Sequence, residues 1–178
     1  LEEEALRLPA GAEGLQVITS LGGDRTPFWF PDMRGTVVGL TDGHRKGHLY
    51  RAVQEGAAYV LRSVIDEIRN AGVEPTELIC IGGVAQSSVG VHVRADVTGL
   101  PVIIPAQTEA SAAAGAILCA CTIDGVSVND AVVRAAGERT RIDPDLSVKN
   151  VYDEKFARWK QLRTVMEQYY TGRLEVGG

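Results

Sequence analysis

A short apolar run, Leu78-Ile79-Cys80-Ile81, stops at Gly82-Gly83, and Val84-Ala85-Gln86-Ser87 leads from there into a segment of helix length. A second apolar run, Val102-Ile103-Ile104, follows Gly99-Leu100-Pro101. The order reads as strand, glycine turn, helix, strand. Two residues without a Cβ at a strand's carboxyl end let a ligand lie against bare backbone. Ligands of open α/β sheets bind at that end. The chemistry in view is a nucleotide or phosphate seat. Gly82 and Gly83 would touch the ligand through main chain, with Ser87 offering a hydroxyl where the next helix starts. The same spacing suits an ordinary strand-to-helix corner, because it is neither Gly-x-Gly-x-x-Gly nor a Walker loop with its Lys-Ser/Thr.

The second candidate is the stretch from Gly22 to Gly35, rich in turn formers and carrying Asp24, Arg25, Phe28, Trp29, Phe30, Asp32 and Arg34. Irregular loops of this length in compact domains tend to carry function. The plainer reading is a structural loop whose Asp and Arg groups pair internally. His44 and His48 are four residues apart, but His44 precedes the predicted helix and no acid completes a zinc pattern. Asp96 falls between a helix and a glycine-containing turn, where capping and turn pairing account for it. No Ser/His/Asp or Cys/His arrangement suggests a nucleophile.

Around these candidates the chain is ordinary. Its 178 residues suffice for one domain with a core, and a formal charge of -5 offers no basic surface for nucleic acid. The longest apolar stretch, near residues 112–121, is far shorter than the roughly 20 residues a membrane helix needs. Three cysteines, Cys80, Cys119 and Cys121, sit in apolar runs and read as small core residues of a reducing, cytoplasmic compartment. The chain opens Leu-Glu-Glu-Glu-Ala without an initiator methionine, so it is expected to begin inside a longer protein.

The elements that must position the candidates are legible from periodicity. Leu15 to Ile18 is a short apolar run and Thr36 to Leu40 a strand. Residues 47–71 form a long helix with an apolar stripe from Leu49, Ala52, Val53, Gly56, Ala57, Val60, Leu61, Val64, Ile65 and Ile68. Arg51, Glu55, Arg62, Asp66, Glu67 and Arg69 belong to its outer face, and Gly72 is the left-handed stop. Strands at Leu78–Ile81 and Val102–Ile104 flank a short helix from Val89 to Thr98. Both strands are wholly apolar, as strands covered on two faces are. Residues 110–122 are a helix whose Ala, Ser and Gly side chains allow close approach to a neighbour, with Thr108 and Glu109 at its cap and first turn. Helices are also expected at 127–136 and 151–170, the latter with a packing stripe of Tyr152, Phe156, Trp159, Leu162, Met166 and Tyr169.

Taken in order, these segments carry a resemblance. Gly23-Asp24-Arg25-Thr26-Pro27-x-Trp29-x-Pro31-Asp32-x-Arg34-Gly35, then Gly39-Leu40-Thr41, resembles the pattern of the FGGY carbohydrate kinases. So do His48-Leu49-x-Arg51-Ala52-Val53-x-Glu55-Gly56, the Gly82–Ser87 turn, Ala95-Asp96-Val97-x-Gly99-x-Pro101-Val102, and Glu109 through Ala116. Within the family the wording is most similar to xylulose kinases and related pentulose kinases. The resemblance implies an α/β fold of the actin-like, ribonuclease-H-like type, a mixed sheet flanked by helices. It implies that residues 1–178 are the carboxyl-terminal, nucleotide-binding domain of a two-domain sugar kinase. The amino-terminal substrate domain, with the catalytic aspartate and the Gly-Thr phosphate segment, would lie outside this chain. It further implies ATP and Mg²⁺ as cofactors, with Gly82, Gly83, Val84 and Ser87 at the nucleotide. The partner is then a sugar or polyol held through the other domain, with no nucleic acid and no membrane, and a homodimer left open. The chain departs from the family at Val84, where many pentulose kinases have a third glycine. It departs again at Gly90, where a large apolar residue is usual, and at His92, where glutamine is. A non-catalytic nucleotide- or sugar-binding regulator with this fold is the alternative those departures raise.

Overall fold

The computed structural model describes residues 1–173. Among these residues are six α-helices and five short strands. Helix α1 (Glu2–Leu6) precedes strands β1 (Gln16–Ile18) and β2 (Thr36–Val38), which pair antiparallel. Helix α2 (Lys46–Asn70) ends at Ala71 and Gly72, the latter at φ +85° as predicted. Then come β3 (Leu78–Ile79), α3 (Ser88–Thr98) and β4 (Val102–Pro105). The chain continues through α4 (Ala110–Asp124), α5 (Val128–Ala136), β5 (Arg139–Ile142) and α6 (Lys149–Tyr170). The second sheet has the order β3-β4-β5, with β3 parallel to β4 and β5 antiparallel to it. Both the mixed sheet and its flanking helices match the expected class.

Packing follows from α2, which lies on α3, β1, α1 and α6. Gly56 lets it touch β1: a Cβ there would meet the Val17 carbonyl oxygen at 2.3 Å. The same carbonyl accepts a hydrogen bond from Trp159 Nε1 of α6 at 3.0 Å. Beside it, Tyr59, Phe156 and Trp159 form one aromatic cluster with Tyr152, Val89, Val93 and Val97. Three of the six residues on the predicted α6 stripe, Tyr152, Phe156 and Trp159, are buried as expected; Tyr169, further along, is exposed.

The buried face of α2 is rotated from the predicted one. Arg51 and Glu55, assigned from sequence to the outer face, are buried, whereas Leu49, Val53 and Ile68 are exposed. Local chemistry explains the exchange. One Glu55 carboxylate oxygen accepts from the Gly11 N–H at 2.9 Å, from Arg51 Nε at 2.9 Å and from the Tyr152 hydroxyl at 3.1 Å. Arg51 also donates to the Ala5 carbonyl and to Tyr152. A charge whose hydrogen bonds are all met inside the protein can replace an apolar side chain at the helix centre.

Three further expectations change. The face of β3 that carries Ile79 and Ile81 is open, so that strand is not covered on both sides. Helix α4 makes its main contact with α5 alone, and nothing stands within 4 Å of a Cβ built on Gly115, so its small residues serve no close approach within the described residues. Cys80 is buried as expected, but Cys119 is exposed on that uncovered helix.

Removing one partner of the buried network leaves the other charge without compensation. Glu55→Ala is therefore expected to destabilise the fold by about 3–5 kcal/mol, read as a fall in the urea midpoint without a change in slope.

Candidate functional site

Because β3 and β4 are parallel, their carboxyl ends lie at the same edge of the sheet. Each opens into a loop there. After β3, Ile81 stays extended and Gly82–Gln86 wind into one 3₁₀ turn. After β4, Ala106–Glu109 lead to α4. One hydrogen bond joins the two loops, from the Gly82 N–H to the Thr108 carbonyl at 2.9 Å. Thr108 thus contributes its main chain, while the α4 cap position is Glu109, whose side chain makes no capping bond.

The two glycines serve different ends. Gly82 has φ +70°, a conformation that L side chains rarely adopt. Gly83 has no such requirement, and a Cβ at either position would stand in open space with nothing within 4 Å. The backbone there is open, with no side chain of the chain laid over it. Val84 is half-buried and packs with Ala85 against the cluster of Cys80, Val91, Ala95 and Val102. Its side chain therefore points into the core side of the turn and leaves the glycine backbone uncovered.

Ser87 caps α3. Its Oγ accepts from the Gly90 N–H at 2.9 Å, donates to Glu2 at 2.9 Å and sits 3.2 Å from the Tyr50 hydroxyl. Glu2 also accepts from the Val89 N–H at 2.7 Å. Burial raises the Glu2 carboxyl's pKa, but the hydrogen bonds from Val89, Tyr50 and Ser87 outweigh it and hold the group below its ordinary value. Sequence reasoning missed this clamp. Glu2 and Tyr50 lie 85 and 37 residues from Ser87, and no local pattern marks them. Gly90 belongs to the same contact: a Cβ there would lie 3.0 Å from Ser87 Oγ and 3.1 Å from Gln54 Oε1 of α2. A glycine at this point lets α3 settle on α2, which gives that departure from the family a packing reason.

Of the other candidates, Asp96 lies in the last turn of α3 and accepts from the N–H of Asp145, 49 residues further on, at 2.8 Å, so it ties α3 to the segment after β5 and does not pair within its own turn. It lines a cleft of about 380 Å³ together with Arg51, His92, Asp143 and Asp145. Burial, opposed by the Asp145 N–H, raises its pKa. In the Gly22–Gly35 loop, Arg34 bonds internally to the Pro31 and Met33 carbonyls, but Asp24 pairs with Arg163 of α6 at 2.7 Å. The Arg163 guanidinium lies 3.6 Å from the centre of the Phe28 ring. The loop is thus tied to the core by its acid and its aromatic. His44 and His48 stand edge to face, and each accepts a backbone N–H of its own turn, from Thr41 and Arg45. No cluster of three metal-ligating side chains occurs among the described residues.

A mixed sheet with α3 packed on it and a glycine turn at the shared carboxyl end of two parallel strands agrees with a domain of the actin-like, ribonuclease-H-like class. The xylulose kinase from Rhodospirillum rubrum superposes with a TM-score of 0.78 at 27% identity, covering 96% of this chain and 34% of that one. The sequence matches the description "FGGY family of carbohydrate kinases, C-terminal domain" over residues 1–123, and the chain belongs to that family. Glycerol kinase of Stenotrophomonas maltophilia (strain K279a) is 32% identical over 149 residues, 83% of this chain and 30% of that protein. Gluconokinase of Bacillus subtilis (strain 168) is 31% identical over 172 residues, 96% of this chain and 34% of that protein. The chain therefore spans about a third of the length of the curated relatives it matches.

Two outcomes follow from this geometry. Gly82→Ala should destabilise by about 1–2 kcal/mol, the cost of a side chain in the left-handed region. Gly83→Ala should be neutral or stabilise by up to about 1 kcal/mol through the unfolded chain. Chemical denaturation of both variants checks the contrast. For Asp96 the sign is set by a raised folded pKa. The unfolded chain ionises first as pH rises, so the carboxyl lowers stability once pH passes the unfolded value near about 3.9. Asp96→Asn should therefore raise the melting temperature at pH 7 and leave it unchanged at pH 3.

Proposed function

We propose that this chain is the nucleotide-holding, carboxyl-terminal part of an ATP-dependent kinase that phosphorylates a hydroxyl of a sugar or polyol. One observation carries the reading. In a chain of the FGGY family, an uncovered Gly82-Gly83 backbone stands at the shared carboxyl edge of β3 and β4, where no internal packing requires Gly83. Gly82 and Gly83 would present main chain to the adenosine of ATP, Val84 would hold the turn against the core, and Ser87 would fix the helix start behind it. Phosphoryl transfer rests on positioning and charge neutralisation. A Mg²⁺ bound with the nucleotide would supply that neutralisation. The chain's own share is to hold and orient the nucleotide. The sugar pocket, the base that takes the hydroxyl proton and the rest of the cleft are assigned to the amino-terminal domain, so residues 1–178 alone would be inactive.

Among acceptors, a ketopentose such as xylulose fits the pentulose-kinase wording of the sequence. Support for the coarser class, a sugar or polyol, comes from relatives named as glycerol kinase, gluconokinase and xylulose kinase. Assaying the full-length polypeptide with Mg-ATP against ketopentoses, glycerol and gluconate tests both levels, and no phosphorylated product from a broad polyol panel overturns the reading. ATP binding without turnover favours the regulator instead. Because its Cβ would enter the space reserved for the nucleotide, Gly83→Val should raise the KM for ATP at least about tenfold, about 1.4 kcal/mol. The KM for the acceptor should be unchanged.

A further inference from the structure

The turn at Gly82 and the start of α3 have the outline of a phosphate seat, since a glycine turn that runs into a helix amino terminus offers converging N–H groups to an anion. Here those donors are spent inside the chain. The Gly82 N–H goes to the Thr108 carbonyl at 2.9 Å and the Ser87 N–H to the Val84 carbonyl at 3.1 Å. In the first turn of α3, the Gly90 N–H goes to Ser87 Oγ at 2.9 Å and the Val89 N–H to Glu2 Oε1 at 2.7 Å. The place a phosphate oxygen would take before α3 is thus held by a carboxylate of α1, 87 residues from Val89 in the chain.

That carboxylate is itself held. Glu2 Oε1 also accepts from Ser87 Oγ at 2.9 Å, and Oε2 accepts from the Tyr50 hydroxyl at 2.8 Å. The Tyr50 hydroxyl stands 3.2 Å from Ser87 Oγ, which closes a ring of Glu2, Tyr50 and Ser87. Helices α1, α2 and α3 meet in that ring, and Ser87 is the residue at which the 3₁₀ turn passes into α3. A negative charge already set at a helix amino terminus satisfies its dipole and repels a second anion. What the turn leaves for a ligand is uncharged surface, the uncovered main chain of Gly82 and Gly83. We infer that Glu2 is a positioning and selectivity residue of the nucleotide seat. It fixes Ser87 behind the turn and denies the α3 amino terminus to phosphate, so that a nucleotide meets the turn with its nucleoside end. The inference rests on the nucleotide reading proposed above and adds what orients the nucleotide there.

Calorimetric titration of the full-length polypeptide with adenosine and, separately, with pyrophosphate tests it. In Glu2→Ala, adenosine should bind at least about tenfold more weakly than in the parent, while one pyrophosphate site appears that the parent lacks. Glu2→Gln keeps an acceptor oxygen for Val89 and Ser87, and should hold adenosine affinity within about twofold of the parent. Tyr50→Phe frees one Glu2 oxygen and should weaken adenosine about threefold, near the low end for one lost hydrogen bond. It reads the same ring if Glu2→Ala does not fold, and unchanged adenosine affinity in Tyr50→Phe then overturns the inference. A merely structural Glu2 would move both ligands the same way. Adenosine and pyrophosphate that weaken together in Glu2→Ala, or that both bind as in the parent, overturn the inference and leave the functional reading standing. A parent that binds neither adenosine nor ATP overturns both.

Discussion

The fold hangs on a carboxylate closed off from water. Glu55 draws the Gly11 N–H, the Arg51 guanidinium and the Tyr152 hydroxyl to one oxygen. Those groups belong to the turn before β1, to α2 and to α6, and Tyr152 lies 97 residues from Glu55. Arg51 extends the network to α1 through the Ala5 carbonyl. A buried charge is costly unless its partners are fixed in place, so each of these segments has one compatible position. The aromatic cluster of Tyr59, Phe156 and Trp159 then fills the space beside the network, and Trp159 ties itself to β1 through the Val17 carbonyl.

From that centre the positioning passes outward to the candidate site. Helix α2 fixes α3 by the close approach at Gly90, and α1 fixes the start of α3 by the grip of Glu2 on Ser87 and Val89. With α3 set, the turn at Gly82 has little freedom. Its core side is held by Val84 and its other side by the Thr108 carbonyl. Rigid support behind an uncovered backbone is what a nucleotide seat requires, because a main chain that moves cannot discriminate ligand geometry. The same architecture leaves β3 and one flank of α2 unfinished, and both lie beside the turn.

Much of the fold was legible in advance. Residue periodicity located α2, α3, α5 and α6 to within a residue or two, because helices of that length repeat every 3.6 residues. The glycine after α2, Gly72, marked its left-handed stop, and Gly99 plays the same part after α3 in the structure. The candidate turn was visible because paired glycines after an apolar run have few uses. What stayed illegible was which charged residues would be buried. Arg51 and Glu55 look like an exposed i, i+4 pair until Tyr152 and Gly11 arrive from elsewhere. The clamp on Ser87 was equally invisible, since Glu2 is unremarkable in an acidic opening segment.

The sequence by itself determined the helices, the α/β alternation, the glycine turn and, through its motif order, the family. These depend on neighbours within a few residues and so are written locally. Tertiary structure alone decided the inner face of α2, the role of Ser87 as a cap, and the division of labour between Gly82 and Gly83. It also decided that β3 ends the sheet with an apolar edge uncovered. Each of these depends on groups far apart in the chain meeting, or failing to meet, in space. Burial and hydrogen-bond satisfaction are properties of that meeting, and no local pattern records them.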